Sequence, residues 1–276
     1  MIIFYPSCLL ILKKLFYVNV TNNSSRKSHN NVNSNNNLLV NSFECDYLFS
    51  LLFILINPTL TLIDHGHFQY NCVSLGLMQM ALYYILKTTT TSAASNNKNR
   101  PILKKRWLVL ASFFFTLALN YKQMELYHAL PFFFYLLGVC IKSDTYSIGF
   151  IRLVSIGLTV IVTFAILWLP FILNGLDLTL QVLQRLFPFS RGLFEDKVAN
   201  FWCSISVLIK LKEKFSIETL SKISLIVTAL LNLPSGLDLL FRPSRQRFML
   251  SLVNSSLIFF LFSFQVHEKS ILLATM

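Results

Sequence analysis

Carboxylates are scarce in this chain. Twelve Asp and Glu stand against 24 Lys and Arg among 276 residues, and charged residues of both signs make up only 13%. A soluble domain carries about a quarter charged residues. With 54% hydrophobic residues, 26 of the 276 being Phe, too little polar surface remains to cover a water-soluble globule, and the bilayer is the better solvent. The five cysteines (Cys8, Cys45, Cys72, Cys140 and Cys203) show no CxxC and no zinc-type spacing, so a structural metal site has no sequence support. Cys72 and Cys203 admit a disulfide, although two unpaired thiols are the simpler reading. A clean secretory signal is lacking too, because Lys13 and Lys14 follow the apolar residues 1–12 instead of preceding them. The internal repeats and paired broken helices common in transporters are also missing.

What is present is a series of apolar segments separated by short basic clusters. Residues 48–63, 73–87, 107–120, 126–141, 148–173, 223–241 and 248–265 read as spans, which makes the expected fold an all-α, polytopic membrane protein with about seven transmembrane helices. Basic residues in a soluble chain would suggest nucleic acid. Here Lys98-Asn99-Arg100, Lys104-Lys105-Arg106 and the Arg242–Arg247 stretch sit between spans, which fits cytoplasmic loops and argues against nucleic-acid binding. That orientation places 64–71, 120–125, the long loop 174–222 and 267–269 in the lumen. It also requires the ten-residue run from Trp202 to Leu211 to lie at the interface or re-enter, as expected of an apolar stretch too short to span. Residues 19–37 are an Asn/Ser-rich tract, expected to be disordered, with sequons at Asn19, Asn22 and Asn23.

Ionisable residues at span ends are functional candidates by default, and four clusters share the lumenal face. Asp64-His65-Gly66-His67-Phe68-Gln69-Tyr70-Asn71 supplies a carboxylate, two imidazoles and two amides for a sugar, phosphate or metal; a polar interfacial turn accounts for it equally well. Lys122, Glu125 and His128 lie between two apolar runs, where an ordinary hairpin with a Lys122–Glu125 helical pair is the plainer account. The stretch 185–203 offers Arg185, Arg191 and Lys197 to phosphates and Glu195 and Asp196 to hydroxyls, interleaved with aromatics that suit the bilayer surface. His267-Glu268-Lys269 either marks the water interface or binds a lipid phosphate.

Four strings carry a family resemblance: NPTLTLIDHGHFQYNCVSLG (57–76), LALNYKQMELYHALPFF (117–133), RLFPFSRGLFEDKVANFWC (185–203) and FLFSFQVHEKSILL (260–273). In this order and spacing, from about residue 50 onward, the chain resembles the dolichyl-phosphate-glucose-dependent alpha-1,3-glucosyltransferases of asparagine-linked glycosylation. The wording of the second and third strings is similar to the members that add the first glucose; the sister enzyme adding the second glucose is the alternative, and a non-catalytic lipid-phosphate-binding membrane protein is another.

The resemblance implies a multi-pass GT-C-type glycosyltransferase of the endoplasmic-reticulum membrane. It would work on the lumenal side without a cofactor or metal, taking dolichyl-phosphate glucose as donor and a dolichyl-pyrophosphate oligosaccharide as acceptor. On the matching positions, it implies that His267 and Lys269, with Arg191 behind them, meet the phosphate. Asp64, His67, Gln69, Lys122, Glu125, Glu195 and Asp196 would line the sugar pocket. Family members carry an acidic first loop with strings like GDYEAQRHW and LDYPPLTAY, absent here. The resemblance therefore places the catalytic base in a missing N-terminal lumenal loop, with Asp64 a weak substitute. Residues 1–47 are expected to be a non-family segment, 48–276 a partial transmembrane domain truncated at both ends, and the chain an inactive fragment by itself.

Overall fold

The computed structural model describes residues 4–12, 48–49, 52, 54, 56–66, 69–93, 100–143, 145–186, 200–264 and 266–275. Every regular element among these residues is helical. In a medium without water each backbone polar group must be satisfied within its own segment, and a helix does this. The chain forms two compact units, Met1–Tyr121 and Lys122–Met276.

Unit 1 is built on a hairpin of α1 (Asn71–Ala93) and α2 (Arg100–Tyr121), preceded by a π turn at Leu60–His65. Tyr84 of α1 stacks on Trp107 and Phe114 of α2 with ring centroids 5.7 and 5.5 Å apart. Lys87 places its ammonium 4.6 Å above both Tyr83 and Trp107, a cation–π arrangement. Further along the hairpin, Ser74 Oγ donates to the Ala118 carbonyl at 3.1 Å. The helical residues 4–12 pack on α1, where Ser7 Oγ and Cys8 Sγ both reach Gln79 Oε1, at 3.1 and 2.7 Å.

Unit 2 contains α3 (Leu126–Ile141), α4 (Tyr146–Leu173), α5 (Leu176–Leu186), α6 (Phe201–Leu208), α7 (Leu211–Lys214), α8 (Ile217–Phe241), α9 (Arg245–Phe262) and α10 (Leu272–Thr275). Helices α3, α8 and α9 pack on one another; α4 packs on α3, and α5 on α4. The α3–α9 contact is aromatic: Phe132 and Tyr135 meet Phe248 at 5.1 and 4.7 Å. Some polar groups on these helices donate along their own turns, Thr228 Oγ1 to Ser224 O and Asn232 Nδ2 to Thr228 O, each at 2.8 Å. Such back-bonding removes the cost of carrying a polar side chain into hydrocarbon.

Among the described residues, three helical segments are long and apolar enough to cross a membrane: Gln123–Ile141, Tyr146–Leu173 and Ile217–Phe241. Helix α4 exposes Ile151, Val154, Leu158, Ile161, Ile166 and Leu169, a surface suited to lipid. Seven spans were expected. Those at 73–87, 107–120 and 248–265 fall in α1, α2 and α9. Polar ends dilute these helices: the threonines after Lys87, the Lys104-Lys105-Arg106 cluster, and Arg245 and Arg247 with the serines of α9. The remaining span, 48–63, lies partly outside the described residues, and the Asn/Ser tract with Asn19, Asn22 and Asn23 lies wholly outside them.

The expected loop 174–222 holds helices over much of its described length. In α5, Asp177, Gln181, Gln184 and Arg185 share one side and Leu176, Leu180, Leu183 and Leu186 lie on the other, the pattern of a helix lying in the membrane interface. Helix α6 has 8 residues, about 12 Å of rise, well short of the roughly 30 Å hydrocarbon core. Cys72 and Cys203 are free thiols.

Candidate functional site

In unit 1 the first cluster forms a compact turn ahead of α1. The Asp64 carboxylate, 2% exposed, accepts from the backbone N–H groups of Asn71 and Cys72, the latter at 3.1 Å. It thus satisfies two of the donors that a helix start leaves without partners. The Gln69 N–H returns to the Asp64 carbonyl at 3.2 Å. Tyr70, just before the helix, has φ of 56° and an exposed ring, a left-handed conformation that a bulky residue holds only when its surroundings enforce it. Asp64 therefore has a structural task that its sequence position did not announce, with Gln69 in the same turn; His67 lies outside the described residues. Replacing Asp64 with Ala should destabilise unit 1 by about 1–2 kcal/mol, the cost of losing a helix cap. Thermal unfolding of the purified chain measures it, and an unchanged midpoint would contradict the capping role.

In unit 2 three of the strings converge. Asn200 caps α6, its Oδ1 accepting from the Cys203 N–H at 2.9 Å, and this aims Trp202 at the end of α9. There the indole Nε1–H donates to the Phe262 carbonyl at 2.8 Å, and Ser224 Oγ of α8 donates to the same oxygen at 2.6 Å. The last carbonyls of a helix have no partner within it, so the two donors anchor the point where α9 stops. Phe264 then packs on the cluster of Trp202, Leu211 and Leu220.

Beyond this anchor the chain forms a 3₁₀ turn, Glu268–Ile271. His267 caps it, Nδ1 accepting from the Lys269 N–H at 3.3 Å, while the ring remains exposed and Lys269 half-buried. The second string meets this turn from the start of α3. Tyr127 is stacked on Phe259 at 5.0 Å, its carbonyl accepts from Ser255 Oγ at 2.6 Å, and its hydroxyl lies alongside Ser270. Next to it, Glu125 Oε2 and His128 Nδ1 lie 2.9 Å apart with 1% of either side chain exposed. Lys122, in extended conformation, leads into this corner and receives the Glu125 N–H on its carbonyl at 3.2 Å.

The structure thus brings Lys122, Glu125, His267 and Lys269 to one end of unit 2, two exposed or half-exposed basic groups on a turn braced by aromatics. Arg191, Glu195 and Asp196 lie outside the described residues. Asn200 and Trp202 were not singled out as site residues from sequence, and Tyr127 and His128 entered only as members of the second cluster and were given no role. Their only signal was membership of the quoted strings, since capping and indole-to-carbonyl bonds have no spacing rule.

A helical membrane protein with cationic side chains gathered at a span end is the class this arrangement defines. The family follows from comparison: residues 1–276 match the family described as ALG6, ALG8 glycosyltransferase family, and the chain belongs to it. It is 52% identical over 226 residues to a chicken protein named dolichyl pyrophosphate Man9GlcNAc2 alpha-1,3-glucosyltransferase, covering 82% of this chain and 41% of that one. A Drosophila melanogaster protein with the same name qualified as probable is 46% identical over 231 residues (84% and 45%). The mouse protein of that name is 48% identical over 227 residues (82% and 41%). The chain spans less than half the length of these relatives.

Proposed function

We propose that this chain serves the transfer of glucose from dolichyl-phosphate glucose to the mannose-capped oligosaccharide on dolichyl pyrophosphate, at the lumenal face of the endoplasmic-reticulum membrane. The observation that carries this reading is the convergence of three family strings on the turn that holds His267 and Lys269. In the proposed reaction a carboxylate removes the proton from the acceptor hydroxyl. That oxygen attacks the anomeric carbon of glucose, and dolichyl phosphate leaves with inversion. Lys269 and His267, with Arg191, meet the charge that grows on the departing phosphate, where fixed cations in a water-poor site act most strongly. Lys122, Glu195 and Asp196 bind sugar hydroxyls.

The base is proposed to come from outside the described residues. Asp64 is committed to capping α1, and Glu125 is buried against His128, so neither offers the open approach to a hydroxyl that general-base catalysis needs.

A chimera tests the proposal: this chain's residues replace the matching segment of the mouse relative, in cells lacking the enzyme that adds the first glucose. The lipid-linked oligosaccharide should gain one glucose. Lys269→Ala in the chimera should lower transfer by about 10²–10³-fold, as for removal of one group stabilising transition-state charge. An inactive, well-expressed chimera, or one indifferent to Lys269→Ala, would overturn the proposal.

A further inference from the structure

A groove of about 340 Å³ runs between α8 and α9, away from the turn just described. Leu231 and Pro234 of α8 and Leu250 and Ile258 of α9 give it apolar walls, and its mouth holds Asp238 and Arg247. These two pair at 3.2 Å and are about half exposed. Arg242 follows α8 at its C-terminus and Arg245 opens α9, so the sequence places two further arginines at this end of the two helices. Leu231, Leu250 and Asn254 are exposed, which makes the groove an open furrow.

We propose that this groove binds one glycerophospholipid with an anionic headgroup. An acyl chain lies along Leu231, Pro234, Leu250 and Ile258, and the headgroup phosphate sits on Arg245 and Arg247 with Asp238 holding Arg247 in place. The furrow has room for a single chain, and its walls match hydrocarbon. Its mouth carries the net positive charge that an anionic lipid neutralises, and arginine offers the planar fork that grips phosphate oxygens. Basic residues at a span end by themselves attract anionic lipids diffusely. The groove turns that attraction into a site for one molecule.

The test is native mass spectrometry of the full chain released from mild detergent after equilibration with phosphatidylserine or phosphatidylcholine. One phosphatidylserine per chain should be retained, on the order of tenfold more than phosphatidylcholine. Arg245→Gln with Arg247→Gln should reduce phosphatidylserine to the phosphatidylcholine level. Asn254→Trp, which fills the furrow from its exposed side, should abolish retention of both lipids, while Asn254→Leu, which leaves it open, should keep it. Equal retention of the two lipids, or phosphatidylserine retention unmoved by Asn254→Trp, would overturn the site. A dimer lost on Asn254→Trp would do so as well, by assigning the groove to a second copy of the chain.

Discussion

Glu125→Ala should lower the stability of unit 2 by about 1–3 kcal/mol, the usual cost of leaving a buried hydrogen-bonding group without its partner. Glu125 and His128 are each 1% exposed and meet at 2.9 Å. The helical turn that starts α3 sets them three residues apart on one face, where side chains meet. Deleting the carboxylate removes the partner of a buried imidazole, and His128→Ala takes the imidazole away from a buried carboxylate. The double substitution Glu125→Met with His128→Leu removes both polar groups and keeps volume, so it should cost far less than the sum of the two single changes. Thermal unfolding in detergent reads this directly. Each single variant should lose several degrees. Single variants within a degree or so of the parent would mean that the pair does not hold the corner beneath Tyr127.

The second large effect lies where α3 crosses α8. A Cβ on Gly138 would stand 2.8 Å from the carbonyl oxygens of both Leu239 and Leu240. These are backbone atoms that move only if the whole helix moves. On the other side of the crossing, a Cβ on Gly236 would meet the Phe134 ring at 2.6 Å. Helices in lipid are held by close packing at small residues, because no hydrophobic force drives them together. Gly138→Ala should therefore destabilise unit 2 by about 1–3 kcal/mol, although alanine favours a helix over glycine by close to 1 kcal/mol. Gly157 of α4 supplies the contrast, since a Cβ there meets nothing within 4 Å. Gly157→Ala should be neutral or stabilising. Opposite signs for the same substitution at the two glycines would establish the crossing; equal effects would contradict it.

The fold class was open to reading because burial in lipid is a property of composition. Few carboxylates and many Phe exclude a water-soluble globule whatever the helices do. The end of each span was harder to read. Helix α1 runs on through a polar threonine stretch to Ala93 and α9 begins at Arg245, so apolar runs mark neither helix boundaries nor, by themselves, crossings. At the candidate site, the strings named residues without distinguishing their structural tasks. Asp64 looked like a ligand-binding carboxylate and forms a helix cap, because capping depends on a fold-back of the chain across seven residues. Glu125 looked like a partner for Lys122, yet the turn points it into the interior at His128. His267 and Lys269 directly follow the apolar run of α9, and the structure places them exposed and half-buried at the 3₁₀ turn.

The turn carrying His267 and Lys269 is proposed to meet a lipid phosphate. Photo-crosslinking tests it most directly, using a polyprenyl phosphate with a diazirine beside the phosphate, incubated with the full chain in nanodiscs and mapped by peptide mass spectrometry. The label should fall on the peptides containing residues 262–270 and 120–128, be competed by unlabelled dolichyl phosphate, and drop sharply with His267→Ala and Lys269→Ala together. Labelling confined to other peptides, or labelling of these that dolichyl phosphate does not displace, would contradict the account.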